Sequence, residues 1–126
     1  MNDLDIIATP STPSVRTNSA AGVLEMVGDS YPENSFQVFS PVIEWVEDFI
    51  GSHKRPLALK LQLLYLNTSS VKVMMDLFDV LQAAHDVGRA VSVEWFYDKA
   101  NERVAELVLE FKEDYTFAFD VTAKDL

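Results

Sequence analysis

The 126-residue chain carries twenty acidic against ten basic residues, a net charge of −10, with 48% hydrophobic and 24% charged residues. That length and balance suit one folded domain with its own core, and the acidity argues against nucleic acid or anionic membranes, which bind through clustered Lys and Arg. The absence of cysteine excludes disulfides, thiol nucleophiles and thiolate metal sites.

The first twenty residues are the least regular part of a single domain expected to span 1–126. Leu4, Ile6 and Ile7 suit a short strand, and Thr9-Pro10-Ser11-Thr12-Pro13 breaks it. Met1 to Asp5 carries acid where a signal peptide needs base, and no apolar run approaches the length of a membrane helix, so the expected location is the cytoplasm. Asn67-Thr68-Ser69 matches a glycosylation sequon, a chance match in a chain without a secretory signal.

Ala21 to Val27 reads as a second or third strand, with Gly28-Asp29 as a closing turn. Ser30-Tyr31-Pro32-Glu33 has capping-box spacing and a proline near the helix start. Phe36, Phe39, Ile43, Val46 and Phe49 or Ile50 then recur at helical spacing up to Gly51. Beyond Pro56, Leu57, Leu59, Leu61 and Leu63 alternate with Ala58, Lys60 and Gln62, the period of a strand with one buried face.

Leu64-Tyr65-Leu66-Asn67-Thr68-Ser69-Ser70 ends that strand in three hydroxyl side chains. Helical spacing resumes with Val71, Met74, Met75, Phe78, Leu81 and Ala84, read as core, and Gly88 closes the helix. Val91, Val93 and Trp95 alternate as a strand, with Ser92, Glu94 and Phe96 opposite. Asp98 is the expected cap of a third helix with Val104, Leu107, Val108 and Phe111 as its apolar stripe, and Phe117, Phe119 and Val121 form a last strand. Tyr65 and Phe96 fit the core less easily and are placed near the edge of the sheet. Strands separated by single helices pair in parallel through right-handed crossovers. The expected fold is therefore α/β, a mixed sheet with three helices mainly on one face and an antiparallel portion from the early strands.

Catalytic signatures are missing. No HExxH, GxGxxG, GxSxG or phosphate-binding loop is present. His53 and His85 lie near helix ends, where a protonated imidazole suits the helix dipole. Glu44, Glu47 and Asp48, and the ridge Glu102, Glu106 and Glu110, read as solvated helix faces. An enzyme built on Asp29 and Glu33 has nothing complementary beside it, so the chain is read as a non-enzyme without metal or cofactor.

The hydroxyl turn carries two readings. Ser, Thr and Asn are ordinary helix caps, and capping is the stronger reading on the residues alone. A strand-to-helix turn is also a natural place for a phosphate, whose charge suits the first turn of a helix and whose bulk would alter a docked partner without unfolding the domain. Thr68, Ser69 and Ser70 are equivalent candidates on this reasoning.

The stretches GDSYPEN (28–34), LYLNTSS (64–70) with the helix VKVMMDLFDVL, and NERVAEL (101–107) closely resemble the SiaC family of bacterial regulatory phosphoproteins. The resemblance covers nearly the whole chain from about Gly22. It implies a fold similar to anti-sigma-factor antagonists (STAS domains) and a partner-switching role. By resemblance, Thr68 is the residue phosphorylated by a dedicated serine/threonine kinase and dephosphorylated by a metal-dependent, PPM-type phosphatase. The unphosphorylated form would bind and activate a diguanylate cyclase, raising cyclic di-GMP and favouring biofilm or aggregation. An anti-sigma-factor antagonist acting on a sigma-sequestering kinase is the alternative. The partner surface is expected to take in Asn67, Thr68, Ser69 and Ser70 together with Asp29, Ser30, Tyr31 and Glu33, on the expectation that Ser30, Tyr31 and Glu33 open one helix as Thr68 opens the next.

Overall fold

A computed structural model describes residues 1–126. In chain order the elements are β1 (Asp5–Ile6), β2 (Ser14–Asn18), β3 (Val23–Ser30), α1 (Ser35–Ser52), β4 (Leu57–Leu66), α2 (Thr68–Asp86), β5 (Val91–Asp98), α3 (Glu102–Glu113) and β6 (Ala118–Lys124). One six-stranded sheet runs in sequence order from β1 to β6. The first two pairings are antiparallel and the last three parallel, a mixed α/β sheet as expected.

Each helix carries the chain one strand further in the same direction. Three right-handed crossovers of that kind put every helix on the same face. The alternation along the strands agrees: Leu57, Leu59, Leu61, Leu63, Val91, Val93 and Trp95 are buried beneath the helices. Phe78 of α2 is the hub of an aromatic cluster, meeting Phe111 and Phe119 edge-on at centroid distances of 5.4 Å each. Such edge-to-face pairs add to the area they bury.

The other face stays open, and its register explains why it tolerates water. Asp5, Arg16, Glu25, Lys60, Glu94 and Asp120 stand opposite one another in a single row across all six strands. Their charges alternate from β1 to β5, so most directly opposed pairs attract. At its end Arg16 Nε lies 3.4 Å from Asp5 Oδ1. Phe96 lies on this face in β5, an interior strand and not the sheet edge, covered by the Lys124 ammonium 3.9 Å above its ring.

Several sequence expectations give way. Residues 5–18 form two strands, which makes β3 the third; β2 leaves little pattern, because Val15 is its only buried residue. Gly28-Asp29 is not a turn: β3 continues to Ser30, with Gly28 at φ +130° and a register shift after it. Ser30 to Glu33 does not open a helix either. Ser30 ends β3 and α1 starts at Ser35, with Asn34 before it forming no side-chain cap. In α1 the core stripe is Phe39, Val42, Trp45, Val46 and Phe49, whereas Phe36 is 68% exposed. Met75 is likewise turned outward in α2 while Met74 and Phe78 are fully buried. Asp98 accepts from Ala100 N in a turn, and the cap of α3 is Asn101, which accepts from Val104 N at 3.2 Å.

Other readings hold. Gly88, at φ +90°, follows the last turn of α2 in the left-handed conformation that suits glycine. His53 and His85 sit at the C-terminal ends of α1 and α2, and Glu44, Glu47, Asp48, Glu102, Glu106 and Glu110 are exposed. No helix is long and apolar enough to cross a membrane.

Two side chains tie down outlying segments. Asp3 Oδ1 accepts from Thr17 Oγ1 at 3.0 Å and from Ser19 N at 2.8 Å. Desolvation, the largest single influence, raises the Asp3 carboxyl, but these bonds with Thr17 and Ser19 together outweigh it and hold the group below the ordinary aspartate range. Tyr115 donates to Asp79 Oδ1 at 2.9 Å, joining the α3–β6 link to α2. Burial first, then that bond and the charges of Asp79, Asp114 and Asp76, push its phenol well above the ordinary tyrosine value.

Candidate functional site

The parallel strands β3, β4 and β5 end on the same side of the molecule, and each is followed at once by a helix. In an open α/β sheet this carboxyl end is where loops and helix starts gather into a site. Here it is organised by asparagines. Asn67 precedes α2, and its side-chain oxygen accepts from Ser70 N at 3.0 Å. Its amide nitrogen reaches sideways to Pro32 O, 3.0 Å away in the loop after β3. Asn101 repeats the device one strand along, capping α3 while its amide nitrogen donates to Leu64 O of β4 at 3.2 Å. Asparagine suits this double role because one side chain carries both an acceptor and a donor.

The three hydroxyls of the turn are not equivalent. Ser70 is 0% exposed, and its Oγ lies 2.7 Å from Ser30 Oγ, itself 0% exposed. Ser69 is exposed, but its Oγ lies 2.7 Å from Ser35 Oγ, at the first residue of α1, and 3.2 Å from Asn67 Oδ1. Ser35 also meets Ser70 at 3.2 Å. Thr68 is exposed at the first position of α2 and takes no part in this network. Asn67 O and Oδ1 take the N–H groups of Val71 and Ser70, so those of Thr68 and Ser69 are the ones without a helical or capping partner at this end.

Around the turn, Asp29 is half-buried and Tyr31 and Glu33 are exposed. Ser30 and Ser70, expected on the partner surface, instead lie beneath it, where their hydroxyls hold the turn together. Tyr65, expected near the sheet edge, belongs to the interior strand β4. Leu64 is one extra residue between the pairs Gly28↔Leu63 and Asp29↔Tyr65. That shift breaks the alternation, so Leu66 packs on the core and Tyr65 is 55% exposed. Its ring meets Tyr31 edge-on at 5.8 Å, an aromatic pair beside the turn that the sequence reading did not assign. The signal available was the adjacent apolar pair Leu63-Leu64, where strict alternation fails.

The five principal surface depressions are lined by residues other than Asp29 and Glu33, and no three His, Asp or Glu side chains converge as metal ligands would. The arrangement offers one unengaged aliphatic hydroxyl, that of Thr68, beside an exposed tyrosine pair.

Residues 6–124 match the family model described as SiaC family regulatory phosphoprotein. The chain belongs to the SiaC family. The solved structure of SiaC of Pseudomonas aeruginosa is 54% identical, covering 98% of this chain and 100% of that one, with a TM-score of 0.93. A crystal structure of the diguanylate cyclase SiaD in complex with its activator SiaC, also from Pseudomonas aeruginosa, contains a chain 56% identical to this one. It covers 97% of this chain and 100% of that chain at a TM-score of 0.93. An uncharacterized protein of Pseudomonas aeruginosa strain UCBPP-PA14 is 56% identical over 125 residues, 99% of each chain.

Proposed function

We propose that this SiaC-family chain is a non-enzymatic cytoplasmic phosphoswitch whose unmodified form binds and activates a diguanylate cyclase. Phosphorylation of Thr68 by a cognate serine/threonine kinase blocks that binding, and a metal-dependent, PPM-type phosphatase restores it. Cyclic di-GMP, and with it biofilm growth or aggregation, would follow the unphosphorylated fraction. The cyclase is argued from the relative solved in complex with SiaD as its activator.

The observation that carries the choice of residue is the contrast within the turn. Ser70 is sequestered and Ser69 is tied to Ser35, while the Thr68 hydroxyl is exposed and unengaged. A phosphate there sits at the positive end of α2, beside two N–H groups lacking partners, so it is compatible with the fold. It also lies on the surface that carries Asn67, Ser69, Tyr31, Tyr65, Asp29 and Glu33, where added charge and bulk would meet a docked protein.

The test is to treat the chain with its cognate kinase and ATP and map the phosphate by mass spectrometry. Phosphate on Thr68 is expected, together with loss of cyclase capture by the modified form. Phosphate confined to Ser69 or Ser70 overturns the assignment, and recovery of an anti-sigma factor in place of a cyclase overturns the output.

A further inference from the structure

The hydroxyls around the turn form a chain that Thr68 does not join. Each serine has one proton to donate and lone pairs to accept with. The hydroxyls link Ser30 to Ser70, Ser70 to Ser35 and Ser35 to Ser69 over separations of 2.7, 3.2 and 2.7 Å, Ser69 also lies 3.2 Å from Asn67 Oδ1, and Ser35 divides its one proton between Ser69 and Pro32 O, 3.3 Å away. Asn67 returns the connection by donating to Pro32 O. The chain thus joins the end of β3, the first residue of α1 and the start of α2.

Ser35 is its junction. It is 2% exposed, and it alone contacts both Ser69 and Ser70 by hydroxyl. Its contacts to Ser69 and Ser70 are not needed to cap α2, since Asn67 already caps that helix through Ser70 N. A kinase must draw the acceptor hydroxyl out of its surroundings and align it with the phosphoryl donor. Ser70 cannot reach it without opening the core, and Ser69 must first leave Ser35.

We infer that Ser35 is a specificity-determining positioning residue: by engaging Ser69 and Ser70, its hydroxyl confines phosphorylation to Thr68. This rests on the proposed Thr68 switch. Ser35 touches neither kinase nor ATP, and acts by removing the competing acceptors.

The experiment compares phosphopeptides from wild type, Ser35→Ala and Ser35→Thr after treatment with ATP and the kinase fraction that modifies the wild-type chain. In Ser35→Ala the ratio of phospho-Ser69 to phospho-Thr68 is expected to rise roughly fivefold, the population factor that one hydrogen bond carries. Ser35→Thr keeps a hydroxyl and is expected to restore the wild-type ratio. A merely structural role would lower the thermal midpoint without moving this ratio. An unchanged ratio in a folded Ser35→Ala chain overturns the inference while leaving Thr68 as the switch. Wild-type phosphate found on Ser69 or Ser70 overturns both. If the alanine variant unfolds, Ser35→Cys, of similar size but a weak donor, carries the same expectation and the same disproof.

Discussion

Asn67 is the residue on which the turn depends most. Its oxygen holds Ser70 N and accepts from the Ser69 hydroxyl, and its amide nitrogen holds Pro32 O. An N-cap removed to alanine ordinarily costs about 1 kcal/mol. Here Pro32 O also loses the Asn67 amide and keeps only the Ser35 hydroxyl, 3.3 Å away, so Asn67→Ala should cost about 1–2 kcal/mol in urea unfolding. Asn67→Asp keeps the cap oxygens but cannot donate to Pro32 O, and should fall between wild type and alanine. If Asn67→Asp equals alanine, the cap contributes little. A cap at this turn was legible, because Asn, Ser and Thr residues opening an apolar-periodic helix are a strong start signal, but the structure alone settles it on Asn67. Its sideways bond was not legible, since it depends on where the loop after β3 ends up in space. Nor could the residues of the turn, without the family resemblance, separate Thr68 from Ser69 and Ser70. Their exposure depends on Ser30 and Ser35, some forty and thirty-five positions away in the chain.

At the scale of elements, the sheet is held from one side only. Its open face relies on the charge row from Asp5 to Asp120, in which Lys60 stands between Glu25 and Glu94. Lys60→Glu would replace two attractive oppositions with two repulsive ones. At a few tenths to about 1 kcal/mol per opposed pair, a loss of about 1–2 kcal/mol is expected at low salt. Because these side chains are at the surface, the loss should shrink as salt rises from 20 mM to about 1 M, where the screening length falls to about 3 Å. A salt-independent loss in thermal or urea unfolding would instead point to packing of the lysine stem. The helices and the strands β4, β5 and β6 were legible because their apolar residues recur with a clear period. β1 falls at the short strand expected around Leu4 to Ile7, but β2 was less legible, because it buries only Val15 and so makes no pattern. The start of α1 was misplaced for a related reason. Ser30 looks like a cap, but its hydroxyl is committed to Ser70 and its backbone to the sheet, with Ser30 O accepting from Asn67 N at 2.9 Å.

For the whole molecule, a net charge of −10 means that a phosphate changes the total by only about a fifth. Long-range repulsion of an approaching partner therefore changes little, and at physiological salt charges interact over about 8 Å. On the proposed reading, the switch then acts at the Thr68 contact itself, through desolvation and bulk at one point on an otherwise unaltered surface. Two measurements separate these accounts. Binding of the unmodified chain to the proposed cyclase should weaken or hold as NaCl rises from 50 to 500 mM, according to how much charge the partner presents. The phosphorylated chain should stay unbound across that whole range, because screening does not remove a charge buried at a contact. Thr68→Asp should behave in the same way while unfolding within about 0.5 kcal/mol of wild type, as befits an acid in the first turn of a helix. A second acid far from the turn, as in Ala83→Asp on the exposed side of α2, should leave binding within twofold of wild type. Recovery of binding by the phosphorylated chain at 500 mM NaCl would show that repulsion at a distance, not contact at Thr68, sets the state of the switch.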